Sequence, residues 1–237
     1  MAKIALVTGA SRGLGKAIVE LLAKREITVI IGARNIHDGQ QVADGIIADG
    51  GEALVVQLDV TNESSVADAA QKIRQQYGKL DFLVNNAGVL DFEEAGVINT
   101  KIVEYTYAVN VFGLVRVTEL LLPLLKEGTD PRVVNISSEM GSFAAMTDPK
   151  NPYYQNLMLG YASSKAAVNA ITVLAARILA ANNIVVNAIN PGFMDTDMTN
   201  HTGPRSPYES AEDVVWLLLD NSRTTGTFYS DRKVMSW

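Results

Sequence analysis

The chain has 237 residues, 48% of them hydrophobic and 19% charged, the size and composition of one α/β domain whose core needs no covalent staples. It has no cysteine, which excludes disulfides and thiolate metal centres, and its two histidines, His37 and His201, are too few for a histidine metal cluster. The net charge is −6 with no basic run, so nucleic acid is not an expected partner.

Residues 4–7 form a short apolar run, as a buried parallel strand does, and strand-like residues begin at Lys3, so no signal peptide is expected. A glycine-rich turn follows, with Gly9, Gly13 and Gly15 spaced G-x-x-x-G-x-G and with Ser11, Arg12 and Leu14 between them. Leu14, Ala17, Ile18, Leu21 and Leu22 then recur at helical spacing. Strand, glycine turn and helix is the context in which backbone N–H groups at a helix start take phosphate.

Residues 28–31 read as a second strand, ending at Gly32-Ala33-Arg34. In NAD-binding βαβ units an acid near this point takes a ribose hydroxyl. Ala33 stands there instead, followed by Arg34, and Arg12 lies in the glycine loop. Two guanidiniums converging on one point suit a phosphate, so NADP(H) is favoured over NAD(H).

A helix is expected over residues 38–48, with Val42, Ile46 and Ile47 inward, and a third strand over 53–58, ending at Asp59-Val60. Asp59 could accept from an adenine amino group or cap a turn. Helical spacing over 63–77 leads to a fourth strand at 81–84, which stops at Asn85-Asn86-Ala87-Gly88, small and amide residues that can lie close to a ribose. Two apolar helical patterns occupy 100–125 and enclose Asn110.

A fifth strand at 132–136 runs into Ser137-Ser138. Residues 139–160 read as irregular, and a long connection inside a compact domain is usually functional. Tyr161 and Lys165 come next, four apart on a helix and so on one face. A tyrosine holds its proton up to about pH 10, and a nearby cation favours the phenolate. The pair is a plausible proton donor and acceptor.

A sixth strand at 184–189 ends at Asn190-Pro191-Gly192-Phe193-Met194-Asp195-Thr196. The segment beyond it, with Gly203, Pro204 and Pro207, reads as a mobile lid, and a last helix at 209–221 and a seventh strand at 227–229 complete the chain. The apolar stretches 111–125 and 166–181 are broken by Arg116, Glu119, Asn169 and Arg177, so no membrane span is expected and the reading is a cytoplasmic protein.

Strands alternate with helices and no composition break intervenes. The expected fold is a single-domain doubly wound parallel sheet, Rossmann-like, of about seven strands with helices on both faces. A dinucleotide-binding half spans about residues 1–130 and a catalytic half 131–237. Ligands bind such sheets beyond the carboxyl ends of the strands, where the glycine loop, Arg34, Asp59, Asn86, Ser138 and Pro191 all fall.

Six motifs in order, at residues 8–15, 85–88, 110, 138, 161–165 and 191–196, make the chain resemble the short-chain dehydrogenases/reductases over nearly its whole length. The resemblance implies a catalytic set in which Ser138 holds the substrate carbonyl oxygen and Tyr161 gives it a proton. Lys165 would lower the tyrosine pKa and bind the nicotinamide ribose, and Asn110 would anchor a relay water. It places the cofactor on Gly9, Ser11, Arg12, Gly13, Leu14, Gly15, Arg34, Asp59, Val60, Asn86, Ala87, Gly88, Tyr161, Lys165, Pro191, Gly192, Met194 and Thr196, with no metal.

Within the family the chain is most similar to NADPH-dependent carbonyl reductases, so a small carbonyl or alcohol is the implied substrate. A 3-ketoacyl carrier-protein reductase and a catalytically inactive NADP sensor or scaffold are the alternatives. Ser138 and Tyr161 lie further apart in sequence than in many family members. The extra residues could block the interface through which much of the family dimerises, so a monomer is favoured over a homo-oligomer.

Overall fold

The computed structural model describes residues 2–90 and 97–237; of the three variable loops whose packing would shape a substrate pocket, 91–98, 139–160 and 197–208, the first falls largely outside them. The first apolar run becomes β1 (Ile4–Thr8), buried at every residue. Beside it on one side lie β2 (Thr28–Ala33) and then β3 (Ala53–Gln57). On the other side come β4 (Phe82–Asn85), β5 (Arg132–Ile136), β6 (Val185–Asn190) and β7 (Phe228–Ser230).

These seven strands are parallel. An eighth, β8 (Lys233–Val234), pairs antiparallel with β7, so the sheet is mixed rather than purely parallel. β8 is two exposed residues long, too short to carry a hydrophobic period. The strand order reverses between β1 and β4, and that reversal opens the crevice at which doubly wound sheets bind ligands.

Alternation along each strand builds two cores, because successive side chains point to opposite faces. Ala5, Val7, Val29 and Ile31 face α1 (Gly13–Ala23), α2 (Ile36–Ala48) and α8 (Pro207–Leu219). Leu6, Ile30 and Val56 face α3 (Glu63–Tyr77), and the same layer holds α5 (Leu114–Lys126) and α7 (Leu159–Leu179). On α2 the inward residues are Gly39, Val42, Ala43 and Ile46, whereas Ile47 is 52% exposed, against expectation. At about 100° per residue, position 47 has rotated off the face that 39, 42, 43 and 46 share.

The stretches 100–126 and 159–182 are long and apolar enough to cross a membrane by composition. In the fold both lay a buried face on protein, through Val117, Leu121, Leu124 and Leu125 in one and Val168, Thr172, Ala176 and Leu179 in the other. α4 (Thr100–Tyr107) continues into α5 through a π-helical segment, Ala108–Gly113. Such a widened turn is common at functional sites. Residues 139–160 are less irregular than expected. They contain a 3₁₀ turn, Glu139–Gly141, and α6 (Phe143–Thr147), and they are tied back by Asn151 Nδ2 donating to Glu139 Oε1 at 2.7 Å.

Candidate active site

The nucleotide end begins where β1 stops. Gly9 and Gly13 have φ of +65° and +54°, a region that costs other residues a steric penalty. Gly15 is required for a different reason. A Cβ there would stand 2.5 Å from the Gly9 carbonyl oxygen and 2.6 Å from Asn86 Nδ2.

Asn86 holds the turn to β4 by donating from Nδ2 to the carbonyls of Thr8 (2.8 Å) and Gly9 (3.2 Å). The Thr8 hydroxyl in turn accepts from the N–H groups of Asn86 and Ala87, at 3.0 and 2.9 Å. α1 starts at Arg12 without a side-chain cap, so the N–H groups of its first turn lack a side-chain acceptor. That donor set, on a close-packed glycine turn, fits a pyrophosphate.

Leu14 and Val60 are core residues, and Ala87 and Met194 pack against the two cores. Asp59 Oδ1 accepts from the Thr61 N–H and hydroxyl at 2.9 and 2.7 Å, the turn-capping use that its sequence also allowed. The Thr61 hydroxyl is the main cause of a carboxyl pKa below the usual value, and Arg34 and Arg116 add to it.

Thr8 and Gly32 are register partners, so Arg12 and Arg34 leave neighbouring strand ends, and both are exposed. Arg12 pairs with Asp197 at 3.1 Å, while the charge of Arg34 is felt at Asp59.

At the reaction end, the Ser138 hydroxyl acts on the Tyr161 phenol, favouring its ionised form. Ser138 stands at the end of β5 as the cap of the 3₁₀ turn, its Oγ accepting from Met140 N at 3.2 Å. Its neighbour Ser137 is buried and turned to α7, donating to Asn169 Oδ1 at 2.6 Å. Lys165 is 5% exposed, and its Nζ donates to the Ile136 carbonyl at 2.8 Å and lies 5.6 Å from the centre of the Tyr161 ring.

Burial draws the lysine pKa down to about 8. Burial also dominates at Tyr161 and holds its pKa above the ordinary tyrosine value, against a smaller lowering by Ser138. The net shift at Tyr161 is thus upward, opposite in sign to the acidification expected of the lysine. Desolvation of the phenol is its largest cause, and the Lys165 amine donates to the Ile136 carbonyl.

Asn110 is 2% exposed on the π-helical segment. Its Oδ1 accepts from Val89 N (2.8 Å), and its Nδ2 donates to Val89 O and to Ser164 Oγ (both 3.0 Å). The side chain thus joins the β4 loop to α7, with both amide hydrogens engaged. Asn110 and Lys165 both border Gly88, where a Cβ would stand 3.4 Å from Asn110 Oδ1 and 3.8 Å from Lys165 Nζ.

The loop after β6, read as a candidate lid, is tied down by its own contacts in this arrangement. Gly192 has φ +80°, and Thr196 and Thr199 form a capping box. Pro191 O accepts from Ser210 Oγ at 2.7 Å. Arg205 binds Asp213 and Asp231, and its backbone carbonyl accepts from Asp195 N at 2.8 Å.

Thr8, Gly141, Ser164 and Asn169 are site-building residues that motif reading passed over. Gly141 lets the 3₁₀ turn touch α7, since a Cβ there would lie 2.5 Å from the Lys165 carbonyl carbon. Only Thr8 had a signal, as the first residue of the glycine motif.

The family model described as short chain dehydrogenase matches residues 3–206. A short-chain dehydrogenase/reductase of Aspergillus fumigatus is 33% identical over an alignment covering 92% of this chain and 88% of its own. A 3-oxoacyl-(acyl-carrier-protein) reductase of Thermotoga maritima is 35% identical, covering 83% and 76%. The fold is shared with the NADPH-bound carbonyl reductase from chicken fatty liver, at TM-score 0.89 and 24% identity over the whole of both chains. By this match and the sheet that underlies it, the chain belongs to the short-chain dehydrogenases, oxidoreductases that use a nicotinamide cofactor on small-molecule substrates.

Proposed function

We propose that the chain reduces a ketone or aldehyde to the alcohol, reversibly, with NADPH. The observation that carries the reading is the buried amine of Lys165, 5.6 Å from the centre of the Tyr161 ring, with the Ser138 hydroxyl acting on the same phenol. The reduced nicotinamide, when bound, supplies the hydride. Ser138 holds the carbonyl oxygen, and Tyr161, kept protonated by burial, gives that oxygen its proton. Both donors act where negative charge develops, so they favour the transition state over the ground state. Lys165 is the cation one helical turn away that stabilises the phenolate left behind.

The first-turn amides of α1 would hold the pyrophosphate, residues 86–88 a ribose, Asp59 and Val60 the adenine, and Pro191, Gly192, Met194 and Thr196 the nicotinamide side. Arg12 and Arg34 would take the 2′-phosphate. Support for NADPH over NADH comes from Arg34 following Ala33, where an acid would otherwise take the ribose hydroxyls.

The likeness to the Thermotoga maritima protein supports a second reading, reduction of a 3-ketoacyl group on a carrier. The segment between Ser138 and Tyr161 favours a free apolar carbonyl instead. It carries Phe143 and Leu157 exposed, and Phe193 and Met198 are exposed on the loop after β6. The test follows NADPH absorbance with apolar ketones and aldehydes and, separately, a 3-ketoacyl thioester. Turnover of the free carbonyls, faster with NADPH than NADH, is the expected result. Turnover of the thioester alone moves the assignment to the carrier reductase. Tight NADPH binding with no oxidation on either substrate set overturns catalysis altogether.

A further inference from the structure

Asp197 has no role in the reading above, yet it touches the cofactor end of the site. Its Oδ2 accepts from Arg12 Nη1 at 3.1 Å across 185 positions of chain, and its Oδ1 lies 3.1 Å from His201 Nε2. The residue before it, Thr196, reaches the residue after Arg12. A Cβ on Gly13 would sit 3.6 Å from Thr196 Cγ2. Two consecutive residues of the loop after β6 therefore lie against two consecutive residues of the glycine turn.

Asp197 is held where it is. It opens the 3₁₀ turn Asp197–Thr199 that the Thr196–Thr199 capping box closes, and the Thr199 hydroxyl donates to the Met194 and Thr196 carbonyls. Gly203 packs directly on the Met194 backbone. The backbone that carries the carboxylate is thus held in place, while both side chains of the pair are exposed, Arg12 at 73% and Asp197 at 57%.

We propose that Asp197 is a cofactor-specificity residue whose carboxylate competes with the ribose 2′-phosphate of NADPH for the Arg12 guanidinium. The inference rests on the reading of Arg12 and Arg34 as a 2′-phosphate pair. A guanidinium presents its donors in a planar fork that matches one oxyanion face to face. One guanidinium N–H serves Asp197, so a phosphate that takes the whole fork must displace the carboxylate, which then repels the incoming dianion. NADH carries no group at that position, so Asp197 leaves its binding alone. The side chains are exposed, which limits the effect to about two- to five-fold in affinity. It also makes the effect sensitive to salt, since screening lengths fall to about 3 Å at about 1 M.

The experiment measures dissociation constants of NADPH, NADH and 2′,5′-ADP for the full chain. The variants are Asp197→Asn, Asp197→Ser, Arg12→Ala and the Arg12→Ala/Asp197→Asn pair. Both Asp197 variants are expected to tighten NADPH and 2′,5′-ADP by about two- to five-fold at low salt, leave NADH unchanged and lose the gain at about 1 M salt. In the Arg12→Ala background the Asp197→Asn change should have no effect. A gain shared by NADH, or weaker NADPH binding, overturns the competition. The second of those outcomes would make Asp197 a residue that orients Arg12. If the wild type prefers NADPH and both Asp197 variants are silent, this inference alone fails. If the wild type binds NADH and NADPH alike and Arg34→Ala weakens both equally, the NADPH reading fails and takes this inference with it.

Discussion

Lys165 gives its side-chain amine to the backbone carbonyl of Ile136 at 2.8 Å, within a surround that leaves it 5% exposed. Burial lowers its pKa from 10.5 to about 8. Between those values the unfolded chain holds a proton that the folded chain has released. Stability therefore rises with pH across that window, by a total on the order of 3 kcal/mol. Urea unfolding of the wild type and of Lys165→Met should diverge by that amount between about pH 8 and about pH 10.5, with the wild type gaining. A difference independent of pH would show that the amine keeps its ordinary proton affinity in the fold.

Tyr161→Phe removes one hydroxyl, the group on which Ser138 acts. Under the proposed chemistry, turnover should fall by about 10²–10⁴-fold while NADPH affinity stays near wild type. Rates close to wild type would mean that the proton comes from another group.

Asn110→Ala deletes three hydrogen bonds and leaves the N–H and C=O of Val89 without the amide that serves both. The expected cost is about 2–4 kcal/mol of stability, read from the denaturant midpoint. Activity should fall with it, because the same amide holds Ser164, one residue from Lys165, in place. An unchanged midpoint would contradict the bridging role.

Two glycines should respond in opposite directions. Gly15→Ala drives a methyl into the Gly9 carbonyl and the Asn86 amide, so cofactor binding and melting temperature should both drop. Gly45→Ala, in α2 with nothing within 4 Å of the added carbon, should instead stabilise by about 0.5–1 kcal/mol. A Gly15→Ala variant with wild-type cofactor affinity would show that the turn gives way without cost.

Much of this was readable from short stretches. The strands at residues 4–7, 28–31 and 132–136 announce themselves because a parallel strand buried on both faces reads as an apolar run. The helix of Tyr161 and Lys165 sets their shared face through its own period. β8 was not readable, since two exposed residues have no pattern. Ile47 was misplaced because an apolar residue one step off a helical face looks like its neighbours on it.

The chain alone therefore determined the fold class, the glycine turn and the serine, tyrosine and lysine of the candidate site, all of which follow from local periodicity and residue type. Tertiary structure decided how those groups are used. It gave the Lys165 amine to Ile136 and raised the Tyr161 pKa. It turned Ser137 inward and Ser138 toward the phenol, and it set Asp197 against Arg12. Each of those outcomes depends on desolvation or on a partner brought in by the packing of distant loops, and neither leaves a mark on the order of nearby residues.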